Sequence, residues 1–234
     1  VNSPVKNSDL PLRAASGVAM AIVALLLIWL GGAVFTIAVL AIGTGIYYEF
    51  AALIRKGGNG SFPSVAAYIL GAIYIGLAII TLIFFRHKDG SGLEIFFLIL
   101  VVVVTDIGAY FAGRSIGGPK LAPRISPNKT WAGLIGGMVA AAIVWTGYNV
   151  AAQMQPAYMA FVGGALMAFV AQMGDLLQSA MKRLAGVKDS GNILPGHGGL
   201  FDRADGMVAV FFIIGLTHII LILRYFGVAG YFGL

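Results

Sequence analysis

The sequence predicts an all-α fold, a polytopic bundle of about seven transmembrane helices, and three observations carry that prediction. Hydrophobic residues make up 59% of the 234 positions and charged residues only 10%, with a mean hydropathy of +0.94. The apolar residues fall into runs of roughly 17–25, the length that takes a helix across about 30 Å of hydrocarbon at about 1.5 Å per residue. Charges gather between the runs rather than in a stripe along them, so these are not helices with one wet face. The runs also lack the period-two alternation of a transmembrane barrel strand.

Helices are predicted over 17–30, 33–53, 63–85, 93–113, 130–152, 157–180 and 206–223. The first is the shortest. Residues 1–16, "VNSPVKNSDLPLRAAS", form a polar arm. The apolar stretch behind that arm lacks a small-residue cleavage site at its end and reads as an anchor, not a signal peptide. The absence of an initial Met implies a processed or trimmed start. No internal repeat or low-complexity linker divides the remainder, so 17–234 is one membrane domain. "GLIGG" at 133–137 holds a Gly-x-x-x-Gly spacing, which lets another helix approach closely.

Several function classes are excluded early. With no cysteine there are no disulfides and no thiolate metal sites, and redox chemistry has no foothold. The net charge of +6 does not require nucleic acid as a partner, because basic loops beside membrane helices follow from topology. With the N-terminus inside, twelve Lys and Arg lie on the cytoplasmic side and three outside, namely Arg86, Lys88 and Arg224. That bias sets the orientation. Both long polar segments, 114–129 and 181–205, then face the cytoplasm, as expected for a bacterial-type inner membrane protein. If the first helix does not span, the N-terminus changes side and these two segments stay where they are.

The chemistry-bearing residues lie in and beside those segments. Asp106 sits in "FFLILVVVVTDIGAYFAGR", near its cytoplasmic end, and Tyr110 and Arg114 follow on the same helical face. A carboxylate facing lipid costs about 2.5–3.5 kcal/mol, so Asp106 belongs at the protein interior or in a wet cavity, as site acid or as interhelical partner. Asp175, in "AQMGDLLQSAMKR", has a similar depth, with Ser179, Lys182 and Arg183 extending its face. Gly174 leaves room for a ligand or a neighbouring helix.

Asp202 and Asp205 stand where the second polar segment turns into the last helix. They can cap that helix, with Asp202 at the N-cap and Asp205 at N3. They can also join Asp175 as hard oxygen ligands for Mg²⁺. A capping carboxylate keeps an oxygen for a metal, so the two roles are compatible. Around these acids stand Lys182, Arg183, Lys188 and Arg203, while "APRISPNKTW" brings Arg124 and Lys129. Carboxylates for a metal beside cations for phosphates are what a polyphosphate substrate requires. Glycines 191, 196, 198 and 199 permit a backbone that wraps an anion or simply turns. His197 reads first as a loop hydrogen-bonding group.

"SAMKRLAGVKDSGNILPGHGGLFDRAD", 179–205, resembles the signature of the phosphatidate cytidylyltransferases, the CDP-diacylglycerol synthases. The Ser, the Lys-Arg pair, the Lys-Asp pair, His-Gly-Gly and Asp-Arg-x-Asp all stand at the family's spacings. The resemblance extends upstream through "DIGAYFAGRSIGGPKLAPRISPNKTWAG", 106–133, and "GD" at 174–175, and it marks 93–224 as the catalytic half. One departure is Ala132, where members commonly carry Glu after the Trp. The resemblance implies that CTP and phosphatidate react at a membrane-embedded site to give CDP-diacylglycerol and pyrophosphate. It implies Mg²⁺ or Mn²⁺ as cofactor, with a second cation such as K⁺, and Asp175, Asp202 and Asp205 as the metal ligands. Lys182, Arg183 and Asp106 complete the catalytic set. Arg114, Arg124, Ser126, Asn128, Lys129, Ser179, Lys188, Asp189, His197, Gly198, Gly199 and Arg203 are the substrate-binding set. The glycine-rich fifth helix adds the expectation of a homodimer.

Two rivals are weighed against this reading. A CTP-dependent lipid-alcohol kinase would release CDP and leave a lipid phosphate. A transporter would use Asp106 and Asp175 to bind ions, but the long signature and the absence of an inverted repeat oppose it.

Overall fold

A computed structural model of the chain describes residues 9–57, 64–88, 90–191, 193 and 198–225. Its described residues form seven helices and one small hairpin: α1 (Asp9–Leu30), α2 (Gly32–Gly57), α3 (Ser64–Lys88), α4 (Leu93–Ser115), β1 (Lys120–Ala122), β2 (Ser126–Thr130), α5 (Trp131–Ala151), α6 (Ala157–Leu184) and α7 (Phe201–Leu223). Helices α2 to α7 are long and apolar enough to cross a membrane, whereas the apolar part of α1 covers only Ala15–Leu30. Helix α1 begins at Asp9, within the stretch expected as a polar arm.

Each spanning helix buries a narrow seam and leaves a broad apolar face outside. On α2 the seam is Phe35, Val39, Gly43, Ile46, Phe50 and Leu53, spaced three or four apart as one face of a helix must be. Outward-facing Ile37, Leu70, Ile143 and Ile220 are more than half exposed. Apolar exposure on that scale marks a surface covered by lipid.

The most extensive contact joins α4 to α5. It is built on small residues: a Cβ at Gly137 would stand 2.7 Å from the Thr105 carbonyl oxygen, and one at Gly136 would collide with Ala112. The glycine face of α5 therefore packs on the chain's own α4. Helix α5 in turn packs on α6, α6 on α7, and α7 on α3.

The first polar segment is not a plain loop. β1 and β2 pair antiparallel, with Lys120 opposite Thr130 and Ala122 opposite Ser126. Strands this short, one of them containing Pro127, carry no periodicity that could reveal them in the sequence. Thr130 ends the hairpin and caps α5, its side chain accepting a 3.0 Å hydrogen bond from the Gly133 amide.

Helix α6 runs to Leu184, four residues beyond its predicted end. It stops in a Schellman turn: the Val187 amide donates to the Lys182 carbonyl at 2.9 Å and the Gly186 amide to that of Arg183 at 3.1 Å. Gly186 takes the left-handed conformation this turn needs, at φ 68°.

Helix α7 begins five residues earlier than predicted. Its N-cap is Leu200, whose side chain cannot cap. The acceptors come instead from Glu49 on α2, which takes the amides of Leu200 at 3.0 Å and Phe201 at 2.8 Å. A helix start specified 150 residues away leaves no local signal.

Candidate active site

The acids and bases singled out in the sequence converge at one end of the bundle, where α4 and α6 end and α7 begins. There they form two groups, not one. The first unites Asp106 of α4, Asp175 of α6 and Asp205 of α7. The approach of α6 and α7 is close at Gly174, where a Cβ would stand 2.8 Å from the Asp205 carbonyl oxygen. Gly174 thus makes room for a helix. Asp205 lies within electrostatic reach of both Asp175 and Asp106. Asp175 Oδ2 pairs with Lys129 Nζ at 2.5 Å, and its Oδ1 accepts from Ser179 Oγ at 3.2 Å. Asp205 Oδ1 accepts from the Gly206 amide at 2.7 Å. Asp106 is exposed, with Asp175 and Lys129 within electrostatic reach of it.

The second group is centred on Asp202. Its Oδ1 accepts from Lys182 Nζ at 2.7 Å and Gln178 Nε2 at 3.0 Å, and its Oδ2 from the amides of Ser190 and Gly199, both at 2.9 Å. Four donors saturate a carboxylate. One sequence expectation changes as a result. Asp202 is not the N-cap with Asp205 at N3; it lies inside the first turn of α7 and reaches back to amides that precede the helix. Of the three aspartates expected as metal ligands, Asp202 pairs with Lys182, while Asp175 and Asp205 lie with Asp106. Among the described residues no group of three or more His, Asp or Glu is arranged to hold a metal ion by itself.

The remaining cations ring these groups. Arg183 is exposed and reaches sideways, donating from Nε to the Ile125 carbonyl at 3.4 Å, which ties the hairpin to α6. Arg124 and Asn128 are exposed on the hairpin and Ser126 is half-buried. Arg114 is engaged by its own helix, donating to the Tyr110 hydroxyl at 2.8 Å. Lys188, Asp189 and Arg203 are exposed at the rim. A Cβ at Gly198 would lie 3.1 Å from Asp202 Oδ2 and 3.6 Å from Asp189, so Gly198 closes on the second group. His197 lies outside the described residues.

Residues 54–221, which carry both groups of acids and the cations around them, match in sequence the family described as cytidylyltransferase. The chain belongs to the cytidylyltransferase family. A phosphatidate cytidylyltransferase of Brucella melitensis is 37% identical over 251 aligned positions, covering 86% of this chain and 90% of the relative. One from Rickettsia prowazekii is 33% identical over 219, covering 88% and 91%. One from Bacillus subtilis is 46% identical over 152, covering 64% and 56%. The stretch shared with the cytidylyltransferase model takes in both groups of acids and the hairpin.

Three residues of this site escaped the sequence reading. Gln178 is buried and holds Asp202, and it stands one turn before Lys182, a spacing that was visible. Ser190 is buried at the root of the second polar segment. Glu49 is only 2% exposed and stands five residues before 54–221, the stretch matched by the family. An acid within the apolar run "IYYEFAALI" is the same signal that singled out Asp106.

Proposed function

We propose that this chain transfers the cytidylyl group of CTP to phosphatidate, giving CDP-diacylglycerol and pyrophosphate, at a site on the cytoplasmic side of the membrane. The observation that carries the reading is the first acidic group. Three carboxylates stand within electrostatic reach of one another, and Lys129 is the ammonium paired among them. Such an excess of negative charge beside a lipid-facing bundle suits a reaction between two anions only if cations accompany the substrates. The relatives that share most of their length with this chain carry the same activity in their names.

Mg²⁺ or Mn²⁺ fits here. Mg²⁺ is ordinarily held by one or two carboxylates, with substrate phosphates and water completing its shell, so a protein cage of three acids is not needed. Asp175 and Asp205 are the residues to hold it, flanked by Asp106, while Asp202 has its oxygens filled and organises Lys182. When bound, the metal neutralises triphosphate charge. A second cation such as K⁺ finds no separate protein-built set among the described residues.

The chemistry asks little else of the protein. A phosphate monoester has a second pKa near 6, so phosphatidate arrives ionised and needs no strong general base. A phosphatidate oxygen attacks the α-phosphorus of CTP, the bond from that phosphorus to the bridging oxygen breaks, and pyrophosphate leaves. Lys182, directed by Asp202, and Lys188 and Arg203 at the rim are placed to hold the triphosphate and the leaving group. The hairpin residues Arg124, Ser126, Asn128 and Lys129, with Arg183 fastening the hairpin to α6, bring the lipid phosphate alongside.

The test uses purified protein in detergent with phosphatidate, Mg²⁺ and CTP labelled at the α-phosphate. Label appearing in the lipid fraction, with release of pyrophosphate, is the expected result. Label remaining in water, or lipid labelled only from γ-labelled CTP, overturns the assignment and favours the kinase.

A further inference from the structure

We propose that Glu49 is a positioning residue for this reaction: it acts as an internal anion around which the second polar segment closes and from which α7 starts. The inference rests on the cytidylyltransferase reading and adds to it a residue from outside the signature.

Three donors converge on the Glu49 carboxylate. Ser190 Oγ donates to Oε2 at 2.9 Å, the Phe201 amide to the same oxygen at 2.8 Å, and the Leu200 amide to Oε1 at 3.0 Å. Two of these are orphan amides at the start of α7, where the helix dipole also favours an anion. Asp202 grips the same root from the other side through the amides of Ser190 and Gly199. Residues 190 and 199–201 are thus clasped between a carboxylate of α2 and a carboxylate of α7. Lys188 and Asp189 lie immediately before that clasp, and Asp202 and Asp205 immediately after it. The position of every one of them depends on where the clasp closes.

The glycines of the segment fit this role. A Cβ at Gly191 would collide with Glu49 Oε1, and one at Gly199 with both Glu49 Oε2 and Ser190 Oγ. At these two positions the backbone wraps an anion, as the sequence invites, and the anion belongs to the chain itself.

Every partner of Glu49 is a donor, so an amide in its place turns an NH₂ toward an N–H or O–H. Glu49→Gln therefore separates charge and acceptor geometry from side-chain size. The measurements are kcat, the KM for CTP, the KM for phosphatidate and the thermal midpoint, on detergent-purified wild type, Glu49→Gln, Glu49→Asp and Ser190→Ala. Glu49→Gln is expected to lower kcat by about 30-fold or more while the KM for phosphatidate changes less than about twofold. Glu49→Asp, which keeps the carboxylate, should restore about 5-fold or more of that loss. Ser190→Ala removes one donor, leaves the helix amides in place, and should cost about 3- to 10-fold in kcat with the midpoint lowered by no more than a few degrees.

A folded Glu49→Gln protein with wild-type kcat overturns the proposal. So does a loss that follows only the folded fraction and that Glu49→Asp leaves unrelieved. If Glu49→Gln fails to fold, Ser190→Ala decides, and wild-type kcat there also overturns it. Wild-type turnover in the same preparation carries the cytidylyltransferase reading, and the ratio of variant to wild type carries the role of Glu49, so the two fail separately.

Discussion

Lys129 Nζ lies 2.5 Å from Asp175 Oδ2, joining the end of the hairpin to the C-terminal half of α6. The two side chains are 21% and 33% exposed, so water screens the pair and its worth to folding is about 0–1 kcal/mol. Its importance is chemical. Lys129 is the paired cation of an acidic group, and it arrives on an element that also carries Arg124 and Asn128. Asp175→Asn is accordingly expected to lower turnover by about 100-fold or more, on the scale of removing a transition-state charge stabiliser. The thermal midpoint should stay within a few degrees. A variant with near-normal kcat would rule out Asp175 as a holder of the proposed metal.

Asp202→Asn should behave differently, because Lys182 and Asp202 are only 13% and 10% exposed and four donors depend on the carboxylate. Removing one partner of a fully buried pair costs about 3–5 kcal/mol, and this half-buried pair should cost less. This variant is expected to lose both activity and stability, with a clear fall in the denaturation midpoint. Equal midpoints for Asp175→Asn and Asp202→Asn would show that the two aspartates do not differ in the way their surroundings imply.

Coupling between Lys182 and Asp202 is measurable by a double-mutant cycle with Lys182→Met and Asp202→Asn. Contacting charged residues show interaction energies of about 0.5–3 kcal/mol, and this half-buried pair belongs within that range. Strict additivity of the two stability losses would contradict the 2.7 Å contact.

The α4–α5 contact predicts opposite outcomes for two glycines of one helix. A side chain at Gly137 meets the Thr105 carbonyl oxygen at 2.7 Å and Gln172 Nε2 at 2.8 Å, whereas Gly147 has open space around it. Gly137→Val should destabilise by about 1–3 kcal/mol through overpacking. Gly147→Ala should be neutral or stabilise by up to about 1 kcal/mol through helix propensity. Thermal unfolding in detergent, followed by intrinsic fluorescence, distinguishes them.

At the opposite end of the bundle, Arg86 is buried and donates to backbone carbonyls of Ile28 at 2.6 Å, Gly90 at 3.0 Å and Trp29 at 3.4 Å. It fastens the end of α1 to α3. Arg86→Met leaves buried acceptors unsatisfied, each at about 1–3 kcal/mol. A lower midpoint with unchanged KM for both substrates is expected, since the residue lies far from the site. A selective rise in KM would link α1 to substrate binding.

Much of this molecule was legible residue by residue. The spanning helices declared themselves because a run of apolar side chains about 20 long has few other stable solutions. Asp106 and Asp175 declared themselves as intramembrane acids, and the 179–205 signature pointed to the chemistry. The start of α7 was not legible, since Leu200 gives no capping signal and the acceptors lie on α2. The hairpin was not, since its strands are too short to show a period. Glu49 carries the same signal as Asp106, an acid inside an apolar run, but it lies far in sequence from the polar segment it contacts.

The sequence by itself determined that the chain crosses a membrane as helices and gathers acids and bases at one end, because hydrophobic length and charge placement act locally along the chain. Only the tertiary structure decided which acids stand together. Asp205 turns to Asp106 and Asp175, and Asp202 to Lys182, because the approach of α6 to α7 at Gly174 and the grip of Glu49 on the start of α7 set the angle at which each carboxylate leaves its helix.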